Sequence, residues 1–154
     1  MPAAPTAEKL DDGPVRQFSV FLQNKVGALL EVVKLLNEHH IVVLALSIQD
    51  SSESSNARMI VSDPTQVARL FHEHEIPFSE CGVLAVELRE GASDLAAALA
   101  ALLMAEVNIY FSYPLMIRPR GRAVLAMHLD DVDCSRSVLC GEGFAILNQS
   151  DLSR

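Results

Sequence analysis

Residues 19–48, SVFLQNKVGALLEVVKLLNEHHIVVLALSI, and residues 85–114, AVELREGASDLAAALAALLMAEVNIYFSYP, align without a gap when the chain is laid over itself with a shift of 66. Few positions are identical. What repeats is the apolar pattern: Val20 with Val86, Leu22 with Leu88, Leu29 with Leu95, Leu36 with Leu102, Ile41 with Val107, Val43 with Ile109. The same shift lays residues 57–61 on 123–127, and two further residues bring Asp63 onto Asp131 and Leu70-Phe71 onto Val138-Leu139. The chain therefore spells one order of elements twice.

In the first half, residues 16–22 alternate Phe18, Val20 and Leu22 with polar neighbours, which is strand periodicity. After the loop QNKVG, Leu29, Val32, Val33 and Leu36 recur at helical spacing over 28–40, with Glu31, Lys34 and Glu38 on the opposite side. A strand over 41–48, the turn SSESSN and a returning strand over 58–61 follow. Asp63-Pro64 starts a second helix, the acid capping it and Pro fitting its first turn, and a last strand begins at Ile76. The second half predicts strands over 83–88, 107–117, 122–129 and 144–148, with helices from Asp94 to Ala105 and over 132–140. Each half reads βαββαβ. The fold class is α+β: two tandem ferredoxin-like units with antiparallel sheets covered by helices, divided as 15–81 and 82–154 behind a disordered tail, 1–14.

Composition narrows the functions. Twelve Lys and Arg against 20 Asp and Glu leave a net charge of −8, which disfavours phosphate backbones and anionic membranes. The longest strongly apolar run, 95–105, is well short of the roughly 20 residues of a membrane-crossing helix. Cys81, Cys134 and Cys140 are odd in number and lack CxxC spacing, so they read as reduced thiols of a cytoplasmic protein. No catalytic constellation of Ser/His/Asp or Cys/His type is present, and no cofactor is implied. His72-x-His74 points to two sides of a helix, and the cluster of His128, Asp130, Asp131 and Asp133 is explained by helix capping at Asp131, so no metal site is expected. Arg118, Arg120 and Arg122 read as a solvated turn or a docking point for an acidic partner.

The stretch Phe21-Leu22-Gln23-Asn24-Lys25-Val26-Gly27-Ala28-Leu29-Leu30 resembles the signature of the ACT domain family, in which an N-x-P-G-x-L turn joins strand one to helix one. Asn24, Gly27 and Leu29 match, and Val26 stands where Pro is usual. In the second half the equivalent residues, Arg89 to Leu95, keep only the leucine. The resemblance implies a non-enzymatic sensor that binds a small amino acid at an interface between ACT units and regulates amino-acid metabolism. The site residues it implies are Asn24, Lys25, Val26, Gly27, Ala28 and Leu29, with Ser47 and Ile48 on the second strand. An alternative is a ligand-independent regulatory subunit of a biosynthetic enzyme such as acetohydroxyacid synthase.

Physical chemistry supports the turn as a site. A helix N-terminus presents unpaired N–H groups to a carboxylate, Gly27 keeps a Cβ out of the way, and Asn24 both donates and accepts. The second turn has Glu90 and Asp94 where the anion would sit, so the two halves are not expected to be equivalent. A further asymmetry lies on the helices: Glu31, Lys34, Asn37 and Glu38 become Ala97, Ala100, Leu103 and Met104. An apolar helix needs a cover, which predicts a homodimer packed through the Asp94 to Ala105 helix.

Overall fold

The computed structural model describes residues 13–23, 26–50 and 54–153; all but two residues of the expected tail lie outside them. Strand β1 (Val15–Gln23) leads to helix α1 (Val26–Glu38), strands β2 (Val43–Asp50) and β3 (Ser54–Val61), and helix α2 (Pro64–Glu73). Strand β4 (Phe78–Leu88) follows, then a short 3-10 turn over Gly91–Asp94 and helix α3 (Leu95–Met104). Strands β5 (Ile109–Pro114) and β6 (Ala123–Leu129), helix α4 (Val132–Gly141), strand β7 (Ile146–Leu147) and helix α5 (Gln149–Leu152) complete the chain. Among the described residues no helix is long and apolar enough to cross a membrane.

All pairings are antiparallel, in the order β2-β3-β1-β4-β6-β5 with β7 also on β4. β4 is the seam. Its first part pairs with β1 (Val20 with Phe78, Val15 with Val83), and its second part pairs with β6 (Leu84 with Met127, Leu88 with Ala123). Each half thereby has the ferredoxin-like arrangement, and β4 serves as last strand of the first half and first strand of the second. The division expected between 81 and 82 falls inside this strand.

Alternation along β4 explains how one strand serves three cores. Phe78 packs among α1, α2 and the first half's strands, while Leu84, Val86 and Leu88 pack beneath α3 and α4. Val83 and Ala85 point the other way, into a shared core with Leu44 and Ile60 from one half and Tyr113, Val124 and Ala126 from the other. The helix-free faces of the two halves thus cover each other. The outer strands meet where Met116 N–H donates to Leu44 O at 2.7 Å.

Both predicted aspartate caps form: Asp63 Oδ1 accepts from Gln66 N–H at 3.1 Å and Asp131 Oδ1 from Cys134 N–H at 3.0 Å. The helix ends also repeat, at positions the sequence did not mark. His40, Glu75, Glu106 and Gly143 all have positive φ (57°, 54°, 56° and 89°), and the next residue donates back into the helix each time, as Ile41 N–H does to Leu36 O and Val107 N–H to Leu102 O.

Three features depart from the sequence reading. The strand expected over 107–117 stops at Pro114, and the one expected over 144–148 shortens to two residues followed by α5. Gln149 of α5 is buried: its Nε2 donates to Val61 O, its Oε1 accepts from Arg16 N–H, and its backbone N–H donates to Gly13 O. The C-terminus therefore clasps the start of β1 and the end of β3. Finally, Arg120 and Arg122 are committed inward. Arg122 donates to the buried Glu87 carboxylate at 2.9 Å, and Arg120 reaches Glu87 at 3.9 Å and Asp151 at 3.2 Å. A carboxylate buried without such partners is strongly disfavoured, and Glu87 lies 33 and 35 residues away in sequence, where local pattern is blind to it.

Candidate functional site

β1 ends at Gln23 and α1 opens at Val26. Asn24 and Lys25 lie outside the described residues. Gly27 is exposed, and a Cβ built on it would meet nothing within 4 Å. Among the described residues nothing packs so closely that it requires glycine there. Ala28 and Leu29 are half-buried, Leu29 against the helix-covered core of the first half.

Ser47 and Ile48 lie elsewhere. Register places Ser47 opposite Arg58 and Ile48 opposite Ala57, and β3 separates β2 from β1. Two strand spacings, about 10 Å, therefore stand between these residues and the strand that leads into the turn. Within one half they are not brought against residues 26–29. Ile48 is 52% exposed, so its side chain is available to a neighbouring unit.

Beside the start of α1 lies an open groove of about 420 Å³ that sequence reasoning missed. The end of β1 supplies Phe21, Leu22 and Gln23; α1 supplies Ala28, Glu31, Val32 and Leu35; the α2–β4 connection supplies His74, Glu75, Ile76 and Pro77. Three separate elements converge here, and the sequence reading, which put Val32 on the apolar stripe of the helix and Glu31 on the opposite side, gave no sign that the two line one groove. The connection is held by Ile76 N–H donating to Phe71 O at 2.9 Å and by the left-handed Glu75.

The matching turn of the second half is closed on itself. Gly91–Asp94 winds into the 3-10 turn, and Asp94 Oδ2 accepts the Glu90 N–H at 3.0 Å. A carboxylate of the chain already sits there. The outer side of α3 is apolar and uncovered: Leu99 is 41% exposed, Leu103 77% and Met104 88%.

Between the two halves lies a second polar group. The Tyr113 hydroxyl donates to Gln17 Oε1 at 2.5 Å, Gln17 Nε2 donates to Cys81 Sγ at 3.4 Å, and the Arg58 guanidinium stacks 3.7 Å above the Phe111 ring. Burial pushes the Tyr113 hydroxyl well above the usual tyrosine value, helped by the nearby Cys81 and opposed by Arg58. Burial likewise raises the Cys81 thiol, against the pull of Arg58. These groups hold their protons and tie the sheets together. His128 stacks on Phe111, Asp130 accepts from Asn108 and Asp131 caps α4, so these three members of the His/Asp cluster serve packing, a turn and a helix start. Among the described residues no group of three or more His, Cys, Asp or Glu is placed to hold a metal.

The fold is shared with known structures. Protein BT0572 from Bacteroides thetaiotaomicron superposes with a TM-score of 0.83 at 26% identity, over 92% of this chain and 96% of that one. The ligand-free regulatory subunit of aspartate kinase from Thermus thermophilus gives 0.57 at 12% identity, over 87% and 93%. The corresponding subunit from Thermus flavus gives 0.55 at 13%, over 85% and 93%. No curated protein sequence matches. The profile of the ACT domain pair matches residues 14–154, so this chain, with its doubled βαββαβ order and its shared β4, belongs to the ACT domain pair family.

Proposed function

We propose that this protein is a non-enzymatic sensor that binds a small amino acid at the turn 24–29, completed by Ser47 and Ile48 of a neighbouring ACT unit, and so regulates amino-acid metabolism. The observation that carries this reading is Gly27: it is exposed, none of the described residues packs against the place of its missing Cβ, and it lies beside an open groove. The first N–H groups of α1 suit the ligand's carboxylate, whereas the second turn already holds the Asp94 carboxylate. A ligand bridging two units favours the arrangement in which both sets of contacts are made, which is how binding becomes regulation. The uncovered face of α3 supports a homodimer, and three unpaired thiols support a cytoplasmic setting.

The test is Gly27→Ala. Without ligand the substitution should raise stability by about 0.5–1 kcal/mol, since alanine is the better helix former at an open position. The rise in Tm produced by the amino acid should vanish in the same variant. Failure of all twenty amino acids to shift the wild-type Tm would remove the sensor reading.

The exposure of Leu103 and Met104 also favours a second reading, a ligand-independent subunit that docks on a biosynthetic enzyme through α3, as the regulatory subunits among its structural neighbours belong to aspartate kinase. A purified chain that is monomeric by light scattering and indifferent to amino acids would favour it.

A further inference from the structure

We infer that the groove beside α1 makes the site selective for amino acids with an aliphatic side chain, with Glu31 and Glu75 holding the ligand's ammonium group. This rests on the sensor reading above and names its ligand class. The volume, about 420 Å³, lies within the range of small-molecule pockets. Its walls are apolar: Leu22, Val32, Leu35 and Ile76 on the inside, with Ala28 leaving room at the helix start. Its charged lining residues among those described are both acids, Glu31 and Glu75, with His74 between helix and turn. An apolar slot with an acidic rim complements a molecule that carries a positive group on a short hydrocarbon body, and it repels a second carboxylate.

Comparison with the second half shows that the acids are not part of the fold. Leu22, Val32 and Ile76 correspond to Leu88, Ala98 and Phe144, so apolar walls repeat. Glu31 and Glu75 correspond to Ala97 and Gly143, and Ala28 to Asp94, whose carboxylate is already bound to the Glu90 N–H. The rim charge exists only in the first half. On α1, Ala28 and Glu31 are three residues apart and share a face, which places the Glu31 carboxylate about one turn below the N–H groups assigned to the ligand carboxylate. Glu75 approaches from the other wall on a backbone fixed in the left-handed region.

The experiment is calorimetric titration of the full chain with leucine, valine, serine and aspartate, and with 4-methylpentanoate, which is leucine without its ammonium. Leucine or valine should bind, aspartate should not, and 4-methylpentanoate should bind about tenfold more weakly or worse. Glu31→Gln should weaken leucine by about tenfold and leave 4-methylpentanoate unchanged; Glu75→Gln gives the same readout should the first variant lose its helical circular dichroism. Equal affinity for leucine and 4-methylpentanoate, or indifference of leucine to both variants, overturns the ammonium assignment. Binding of serine or aspartate without leucine or valine overturns the aliphatic class and leaves the sensor reading standing. Silence with all four overturns the aliphatic class, and silence of the Tm screen with all twenty amino acids overturns the sensor reading as well.

Discussion

α1 and α3 occupy matching places and have diverged in everything but their anchors. Leu36 and Leu102 correspond across the 66-residue shift and are both buried beneath their helices. Outside these anchors α1 keeps a charged face and a groove with acidic lining, while α3 has a self-closed turn before it and an apolar outer face. The repeated core residues specify the architecture, and the positions free of that duty have diverged into a charged helix face beside a groove in one half and an uncovered apolar face in the other. An equivalent pair would have kept both helices amphipathic.

The largest effects test whether the halves are one structure. Leu36→Ala and Leu102→Ala should each cost about 2–5 kcal/mol, the range for truncating a buried leucine. Because β4 is built into both halves, each variant should shift a single urea transition followed by circular dichroism and by tyrosine fluorescence. Two separated transitions, one moved by each variant, would show that the halves fold independently.

Next in size is the uncovered face of α3. Ala100 of α3 corresponds to Lys34 of α1, and both are exposed. Ala100→Glu should weaken the proposed homodimer by more than about tenfold, because an unpaired charge would be buried against the partner helix. Lys34→Glu should leave the mass from light scattering unchanged. Equal behaviour of the two variants would mean that the dimer, if formed, uses another surface.

These contrasts also show what the sequence could tell. The shift of 66 captured the element order because buried residues such as Val20 and Val86 recur with strand and helix periods. It did not reveal that two strands are one, since Cys81-Gly82-Val83 carries both a glycine and unbroken alternation, and alternation alone does not say whether a strand stops. The closed second turn was legible from Asp94. The groove was not, because His74 to Pro77 reach it only through the packing of α2 and β4. Likewise Gln149 sits in a polar stretch and gives no hint that its amide would be buried at 1% exposure.

The shared core makes a smaller, pH-dependent contrast. Tyr113 corresponds to Ser47, so only the second half places a phenol between the sheets. Folded Tyr113 keeps its proton at pH values where the unfolded chain has lost it, so unfolding releases a proton at alkaline pH. Stability is complete below about pH 10, the ordinary tyrosine value, and falls above it by about 1.4 kcal/mol per pH unit. Tyr113→Phe should flatten this limb in urea titrations between pH 9.5 and 11, at the expense of leaving Gln17 Oε1 without its donor. A residual slope that begins near pH 9 belongs to the Cys81 thiol, which is raised for the same reason, and Cys81→Ser should remove it.

The smallest expected effects lie at the helix ends, where the repeat is preserved in conformation but not in residue type. Residues that follow α1 and α3, His40 and Glu106, take up the left-handed region without being glycine, while Gly143 takes it up after α4. A side chain there costs about 1–2 kcal/mol of local strain, and glycine returns part of the gain through its freer unfolded chain. Glu106→Gly should therefore stabilise the protein by about 0.5–1 kcal/mol, and Gly143→Ala should destabilise it by about 1 kcal/mol. A Cβ on Gly143 would meet nothing within 4 Å, so any loss measured there reports backbone strain and not a clash. If Glu106→Gly leaves Tm unchanged, the Glu106 side chain contributes something that offsets its strain. Its place at the end of the uncovered α3 makes the partner helix the first place to look, and the same variant measured in the Ala100→Glu background would separate the two contributions.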